Sequence, residues 1–371
     1  MITALYCVGA LLSLFYAAGL FFLQRGFSRL RSGNAERLPA ITVLISARDE
    51  EDNIGVCLEA ALAQNYPGEL FEVIVINDRS ADRTGQIVKE LQPEHENLKL
   101  IEISQPHEWK APKKWALESG IKQAKGEIIF TTDADCKPGV NWLRTMTRQF
   151  EEEVGMVAGF NPYESAPGTF HLVADILSLD YWAMSAVAAA SAGLDFPVSC
   201  TGGNLAFRKS VFERLGGYGD NAKIMSGDDD LFLQRVREET AWQVRYCVAP
   251  DAHVPTKAPE TFQIFWRQRF RYASKGLNYS PAVVIALIGV FLLNLLMAAT
   301  FVTVLFFPFV APLLVFSFAL KSGGDFFFLK RAQPVFEAKL NPVVFLISAF
   351  LHPFYLVIAV IGAQFFSGKW K

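Results

Sequence analysis

Asp133-Ala134-Asp135 closes the apolar run Glu127-Ile128-Ile129-Phe130-Thr131-Thr132. Two carboxylates one residue apart at the carboxyl end of a strand suit a hard divalent cation. Mg²⁺ or Mn²⁺ takes oxygen ligands, keeps several waters and completes its shell with substrate phosphates. The pair therefore points to chemistry on a nucleotide diphosphate. A second acidic group, Ser226-Gly227-Asp228-Asp229-Asp230, precedes the amphipathic run Leu231 to Val236. Carboxylates at a helix amino terminus cap it and complement its dipole, which accounts for one or two of the three. An acidic cluster beside a metal–phosphate site also offers a general base for a hydroxyl acceptor. Farther on, Trp266-Arg267-Gln268-Arg269-Phe270-Arg271-Tyr272 lies just before Pro281. Its arginines and aromatics suit a juxtamembrane belt on lipid phosphates. They equally suit forked hydrogen bonds to a diphosphate leaving group, and the two roles coexist.

The elements that would position these groups alternate. Ile41–Ser46, Phe71–Asn77, Leu98–Ile103 and Glu127–Thr132 are short and rich in Ile and Val, as strands are. Glu51–Gln64, Arg83–Leu91 and Lys113–Ala124 carry helical periodicity between them. Alternation at this spacing predicts an α/β fold, a mostly parallel sheet with flanking helices and right-handed crossovers. Ligands of such a sheet bind beyond the carboxyl ends of its strands. Ala47-Arg48-Asp49-Glu50, Asn77-Asp78-Arg79-Ser80 and Asp133-Ala134-Asp135 then face one site. Thr201-Gly202-Gly203-Asn204 reads as a turn whose glycines permit close approach to a ligand. Neither G-x-G-x-x-G nor G-x-x-x-x-G-K-[ST] follows a strand, so a dinucleotide fold and a P-loop are unsupported.

The chain has 371 residues, is 51% hydrophobic and has formal net charge -2. That charge, with no extended basic patch, argues against nucleic acid as a partner. The apolar excess (mean hydropathy +0.24) sits at the two ends. Ile2 to Leu23 carries no charge and is long enough to cross a bilayer. No Lys or Arg precedes it, as a signal peptide would require. Arg25, Arg29 and Arg31 follow, so the positive-inside rule puts the amino terminus outside and the next segment in the cytoplasm. Pro281 to Leu320 is again uncharged, enough for two spans, and Val343 to Phe366 supplies another. Lys321, Lys330, Arg331 and Lys339 read as a polar cytoplasmic connection. Four helices in total would leave the carboxyl terminus outside, which Lys369 and Lys371 mildly oppose. The expected layout is an amino-terminal span over 1–24, a cytoplasmic domain over 25–258, an interfacial helix over 259–280 and about three spans over 281–371. The five cysteines form no C-x-x-C pair and no zinc spacing, and read as reduced structural thiols.

In this order the motifs resemble the family 2 glycosyltransferases, specifically the membrane-integrated members related to cellulose, chitin and hyaluronan synthases. The likeness runs from about Ile41 to Lys275. Ile45-Ser46-Ala47-Arg48-Asp49-Glu50-Glu51 looks like the family's opening strand and nucleotide-contacting turn, which implies donor contacts at Ala47, Arg48 and Glu50. Asn77-Asp78-Arg79-Ser80 is similar to D-D-x-S, whose aspartate recognises the base of a UDP-type donor. Asn77 departs from that pattern, so the role passes to Asp78. Lys113-Lys114 before a helix matches a donor-side feature, assigned to Lys114. Asp133 and Asp135 correspond to the D-x-D that holds the metal and donor diphosphate. Gly227-Asp228-Asp229 looks like the segment supplying the catalytic base, Asp229 by register and Asp228 next to it. Gln268-Arg269-Phe270-Arg271-Tyr272 is similar to Q-R-x-R-W with tyrosine in place of tryptophan; Tyr272 is a smaller stacking platform for an acceptor sugar.

The resemblance implies a GT-A-type fold and a membrane-bound, inverting, Mg²⁺- or Mn²⁺-dependent sugar transfer, in a bacterial inner membrane with the catalytic domain in the cytoplasm. The partners expected are a nucleotide-sugar donor, a lipid or saccharide acceptor and the bilayer. Protein partners are not indicated. Four spans are few for a wide glycan channel, which favours a lipid or short saccharide hydroxyl. Processive polysaccharide synthesis and polyprenyl-phosphate sugar synthesis are the enzymatic alternatives, and a nucleotide-sugar sensor without turnover the non-enzymatic one. His253 reads as structural more readily than as a metal ligand, and Trp109 and Trp115 as packing residues near the site.

Overall fold

The computed structural model describes residues 2–164 and 171–365, with side chains from Cys7 and from Leu172 onward. Phe366, Lys369 and Lys371 lie outside the described residues. In chain order the elements are α1 (Ile2–Leu23), β1 (Ile41–Ala47), α2 (Ile54–Leu62), β2 (Phe71–Asp78), α3 (Thr84–Leu91), β3 (Leu98–Ile103), α4 (Pro112–Gln123), β4 (Ile128–Asp133), α5 (Trp142–Thr147) and β5 (Val154–Gly159). They continue with α6 (His171–Gly193), β6 (Leu205–Arg208), α7 (Lys209–Arg214), α8 (Asp230–Glu239), β7 (Gln243–Cys247), α9 (Phe262–Ser274), α10 (Pro281–Thr303), α11 (Ala311–Phe336) and α12 (Pro342–Ala363). The chain divides into two compact units: residues 30–164 with 191–258, and residues 1–29, 165–190 and 259–367. Residues 171–190 thus leave the block expected over 25–258 and join the helices.

The first unit is built on a seven-stranded sheet in the order β3-β2-β1-β4-β6-β5-β7. β1 pairs in parallel with β2 and β4, β2 with β3, and β5 with β7; β6 alone runs antiparallel, between β4 and β5. Every residue of β1 and β2 is buried, as expected of parallel strands covered on both faces. The four strands legible in the sequence appear within a residue of their expected limits. β5, β6 and β7 complete the sheet beyond them. After β1 the chain moves outward to β2 and β3, then returns to β4 on the other side of β1. That reversal is a topological switch point, where loops diverge and leave a crevice. Register sets three motif strands side by side there: Ala47 is opposite Asn77, and Ser46 opposite Asp133.

The second unit is helical. Among the described residues, five helices are long and apolar enough to cross a membrane: the segments Cys7–Arg29, Leu172–Gly193, Pro281–Thr303, Pro308–Phe336 and Pro342–Ala363. Large apolar side chains such as Phe15 (74% exposed) and Ile285 face outward. The sequence pointed to four spans; α6 is a fifth candidate, masked by Asp175 and Asp180, which break its charge-free run. A second correction concerns the connection expected to carry Lys321, Lys330, Arg331 and Lys339, of which only Lys339 lies between helices. α11 runs straight through the other three, and the buried Lys321 ammonium lies 2.7 Å from Asp325 one turn on, which in turn accepts from the Tyr16 hydroxyl at 2.6 Å. An i,i+4 pair of opposite charge neutralises itself, so the helix accommodates both.

Candidate active site

Asp133 and Asp135 are both half-buried at the end of β4, with Ala134 and Cys136 buried between and after them. One ligand atom from each of Asp133, Asp135 and Cys136 lies within 4.8 Å of the others. Burial, then the nearby Asp133 and Asp135 carboxylates, push the Cys136 thiol well above its ordinary pKa, so it stays protonated. The donors on offer are carboxylate oxygens, the set a hard cation takes.

Lys113, on the first turn of α4, joins this cluster to the second acidic group. Its Nζ lies 2.8 Å from Asp133 Oδ1 and 3.2 Å from Asp228 Oδ2, with the side chain 14% exposed. Burial pulls its pKa down, but Asp133, Asp228 and Asp229 outweigh that and hold it above the ordinary lysine value. Asp133 and Asp228, 95 positions apart in sequence, therefore serve one cation.

Beside them stands the Gly202-Gly203 turn. A Cβ on Gly202 would sit 3.1 Å from Asp228 Oδ2 and 3.4 Å from Lys113 Nζ; one on Gly203 would sit 3.3 Å from Asp133 Oδ2. These contacts leave no room for a side chain between the two acidic groups. Thr131 Oγ1 donates to Gly202 O at 2.7 Å, and buried Asn204 anchors the turn by donating to Phe160 O and Ala252 O and accepting from Trp142 Nε1. Gly227 has φ of +81°, and a Cβ there would meet Leu231 Cγ at 2.5 Å. Glycine is thus required immediately before the aspartates.

Asp229 caps α8. Its Oδ1 accepts from Asp230 N at 2.7 Å, its Oδ2 from Gly202 N at 2.9 Å. These bonds fix the carboxylate's direction. Asp228 is buried at 8% exposure against Lys113, whereas Asp229 is half-buried and more open.

The β1 and β2 ends are laced together. Asp49 and Arg79 both adopt positive φ (52° and 57°). Asp49 Oδ1 accepts from Ala81 N at 2.7 Å, and Asp49 N donates to Ser80 Oγ at 3.0 Å. Glu50 N donates to Thr84 Oγ1, and the Glu50 carboxylate accepts from Asn53 Nδ2. Ala47 closes β1 and is fully buried. Arg48 Nε is buried without a hydrogen-bond partner among the described residues and lies 3.8 Å from Asp49 Oδ2. Asp78 is completely buried and forked by Arg79 at 2.7 and 2.9 Å, so the group this strand end presents outward is the Arg79 guanidinium.

Two further site residues are placed unexpectedly. Lys114 is 1% exposed, and its ammonium donates to Asn221 O, Ile224 O and Ser226 O at 2.7 to 2.9 Å. It ties down the loop that leads into Gly227-Asp228-Asp229, while its neighbour Lys113 faces the carboxylates. On α9, in the helical unit, Arg269 is buried with Nη2 2.7 Å from Asp180 Oδ2 of α6. Its guanidinium also lies over the rings of Phe265, Tyr272 and Tyr355. Gln268, Arg271 and Tyr272 are half-buried on the same helix, and Arg271 lies over the Tyr272 ring at 5.5 Å. His253 Nε2 is 3.2 Å from Val248 O and its ring packs edge-on to Phe160. Trp115 packs between Lys110, Lys122 and His107, but Trp109 is 75% exposed and not a packing residue.

In comparison with known proteins, residues 42–216 match the model of glycosyl transferase family 2. The probable glycosyltransferase YdaM of Bacillus subtilis is 30% identical over 70% of this chain and 62% of its own length. A beta-monoglucosyldiacylglycerol synthase of Trichormus variabilis is 27% identical over 70% of this chain and 53% of its own. The chain thus spans little more than half the length of these relatives. Among solved structures, the mannosyltransferase PcManGT of Pyrobaculum calidifontis, in complex with GDP-Man and Mn²⁺, aligns over 97% of this chain and 98% of its own, with TM-score 0.59 and 19% identity. Sheet order, strand-end carboxylates and these likenesses agree: residues 42–216 carry a family 2 glycosyltransferase domain, and the fold is of GT-A type.

Proposed function

We propose that this protein is a membrane-bound glycosyltransferase that moves a sugar, with inversion, from a nucleotide-diphosphate sugar to the hydroxyl of a membrane lipid. The observation that carries this reading is Lys113, which places the D-x-D carboxylate Asp133 and the base-segment carboxylate Asp228 within reach of a single ammonium. Asp135 and Asp133 would hold Mg²⁺ or Mn²⁺, which when bound neutralises the departing diphosphate. Arg48 and Arg79 supply positive charge at the neighbouring strand ends. Asp229, its direction fixed by Gly202 N and Asp230 N, takes the proton from the acceptor hydroxyl. That oxygen bonds to the anomeric carbon as the bond to the diphosphate oxygen breaks, and the proton remains on Asp229. One displacement requires no sugar–enzyme intermediate, so inversion follows. On α9, Arg269 is taken up by Asp180, which leaves Arg271 as the more open of the two signature arginines.

A lipid acceptor is supported by five helices apolar enough to span a membrane, and by the relative named for a glucosyldiacylglycerol. The arginines after α1 support a cytoplasmic catalytic unit. The test uses the full chain in lipid nanodiscs with Mn²⁺, a panel of UDP- and GDP-sugars and extracted membrane lipids, with products read by mass spectrometry. Asp229→Asn should lose roughly 10²- to 10⁴-fold in transfer while donor affinity stays within about twofold. Asp135→Asn should lose the dependence on added cation. Normal turnover by Asp229→Asn removes that residue from the mechanism, and growth of a long saccharide in place of a glycolipid overturns the acceptor.

A further inference from the structure

Within the helical unit, a groove of about 690 Å³ runs between α9 and α12, lined by Phe262, Gln263, Trp266, Arg267, Phe270 and Ile358. The size falls in the ~300–1,000 Å³ range typical of small-molecule sites. Four-residue spacing sets Phe262, Trp266 and Phe270 in one row along α9 and Gln263 and Arg267 in the row beside it. The aromatic row is continuous: Trp266 stacks on Phe270 at 5.4 Å and meets Phe262 edge-on at 5.8 Å. Yet the groove is poorly covered at Phe262, 76% exposed, and at Ile358 of α12, 50% exposed, while Trp266 and Phe270 are half-buried. Gly362 of α12 makes the close approach possible, since a Cβ there would lie 2.3 Å from Phe270 Cε1.

An open apolar slot of this kind calls for an occupant. We infer that it seats an acyl chain of the acceptor lipid, a glycerolipid with a free hydroxyl, and so sets acceptor class; this rests on the lipid-acceptor reading above. Three observations select that occupant. One wall, α12, is itself a candidate membrane span, so the slot is continuous with an acyl phase. The adjoining row offers an amide and an exposed guanidinium, Gln263 and Arg267, which match the ester and hydroxyl oxygens at the top of such a lipid. Phe270, which lines the slot, is the central residue of Gln268-Arg269-Phe270-Arg271-Tyr272. A chain lying against it brings its headgroup alongside the signature residues of the same helix.

The test reconstitutes the full chain in phosphatidylcholine nanodiscs with a diazirine-tagged diacylglycerol and maps the photolabel by peptide mass spectrometry. Label is expected on the peptides carrying Phe262–Phe270 and Ile358, displaced by untagged diacylglycerol and not by added phosphatidylcholine. Trp266→Ala should cut that labelling and raise the apparent KM for diacylglycerol roughly tenfold, with donor affinity unchanged; Trp266→Phe should restore most of both. Label spread evenly over all apolar helices, or undiminished by Trp266→Ala, overturns the site. Preferential displacement by polyprenyl phosphate overturns the glycerolipid class. Displaceable labelling in a protein that glycosylates only saccharides upholds the lipid slot and defeats the lipid-acceptor reading, so the two failures are distinguishable.

Discussion

Replacing Lys113 with methionine keeps the stem and deletes the one ammonium that Asp133 and Asp228 share. At 2.8 and 3.2 Å and an effective dielectric of about 20, each contact is a gross attraction of roughly 5–6 kcal/mol. Most of that is offset by desolvation of the lysine, and Asp133 is 41% exposed, so solvent screens its half further. Asp228, at 8%, is not screened and would be left as an unpaired buried charge. We expect a net loss of about 2–3 kcal/mol, which for a unit of this size lowers the apparent melting midpoint by roughly 4–12 °C. The effect of cation should have the opposite sign. In the wild-type protein the ammonium competes with an ion for Asp133 Oδ1; if about 1.4 kcal/mol of the pairing lies there, its removal tightens Mn²⁺ binding to the donor-free protein about tenfold. The assay is a melting midpoint in nanodiscs, titrated from EDTA through rising Mn²⁺, where saturating ion should recover most of the loss. A Lys113→Met protein that melts like wild type in EDTA and shows wild-type Mn²⁺ dependence would refute the shared-cation geometry.

Three other outcomes are expected. Lys114→Met strands the buried Ser226 carbonyl and the half-buried carbonyls of Asn221 and Ile224 and should cost about 2–4 kcal/mol, yet leave donor KM unchanged in the protein that remains folded; a raised KM at wild-type stability would instead make Lys114 a donor ligand. Arg269→Met uncovers Asp180 and should cost about 3–5 kcal/mol, while the double variant with Asp180→Leu recovers more than half of it; additive losses in the melting midpoint would show that the pair is not coupled. Glu72 is buried, which raises its carboxyl pKa, but hydrogen bonds from Lys99, Lys125 N and Thr42 outweigh burial and leave it lowered. A lowered folded pKa gives stability that is present above the unfolded value of about 4.3 and lost as pH falls through the folded one. Below about pH 4 the wild-type midpoint should therefore fall more steeply than that of Glu72→Gln, and parallel curves would contradict this.

Much was legible because it is local. Ile and Val runs between amphipathic segments specify β1 to β4 with α2 to α4, and their alternation specifies a mostly parallel sheet, whereas the switch point beside β1 came only with the strand order. The D-x-D at the end of β4 and the glycine-led acidic group before α8 could be placed on chemistry alone. β6 could not, being four residues long and held by antiparallel partners far away in sequence. Nor could α6, because counting charges along a chain cannot reveal that Asp180 is answered by Arg269.

Sequence by itself determined which residue types this protein has for binding a cation, a diphosphate and a hydroxyl, and the order in which the strands deliver them. Tertiary structure decided which way each member of a neighbouring pair faces. Lys113 and Lys114 are about 100° apart around one helix, so only the packing of α4 could turn Lys113 toward the carboxylates and Lys114 into the loop below. Asp78 and Arg79, Asp228 and Asp229, and Arg269 and Arg271 divide in the same way, one buried and one more open. The cause is physical: a motif fixes chemistry along the chain, but the direction of each side chain is set by packing between segments distant in sequence.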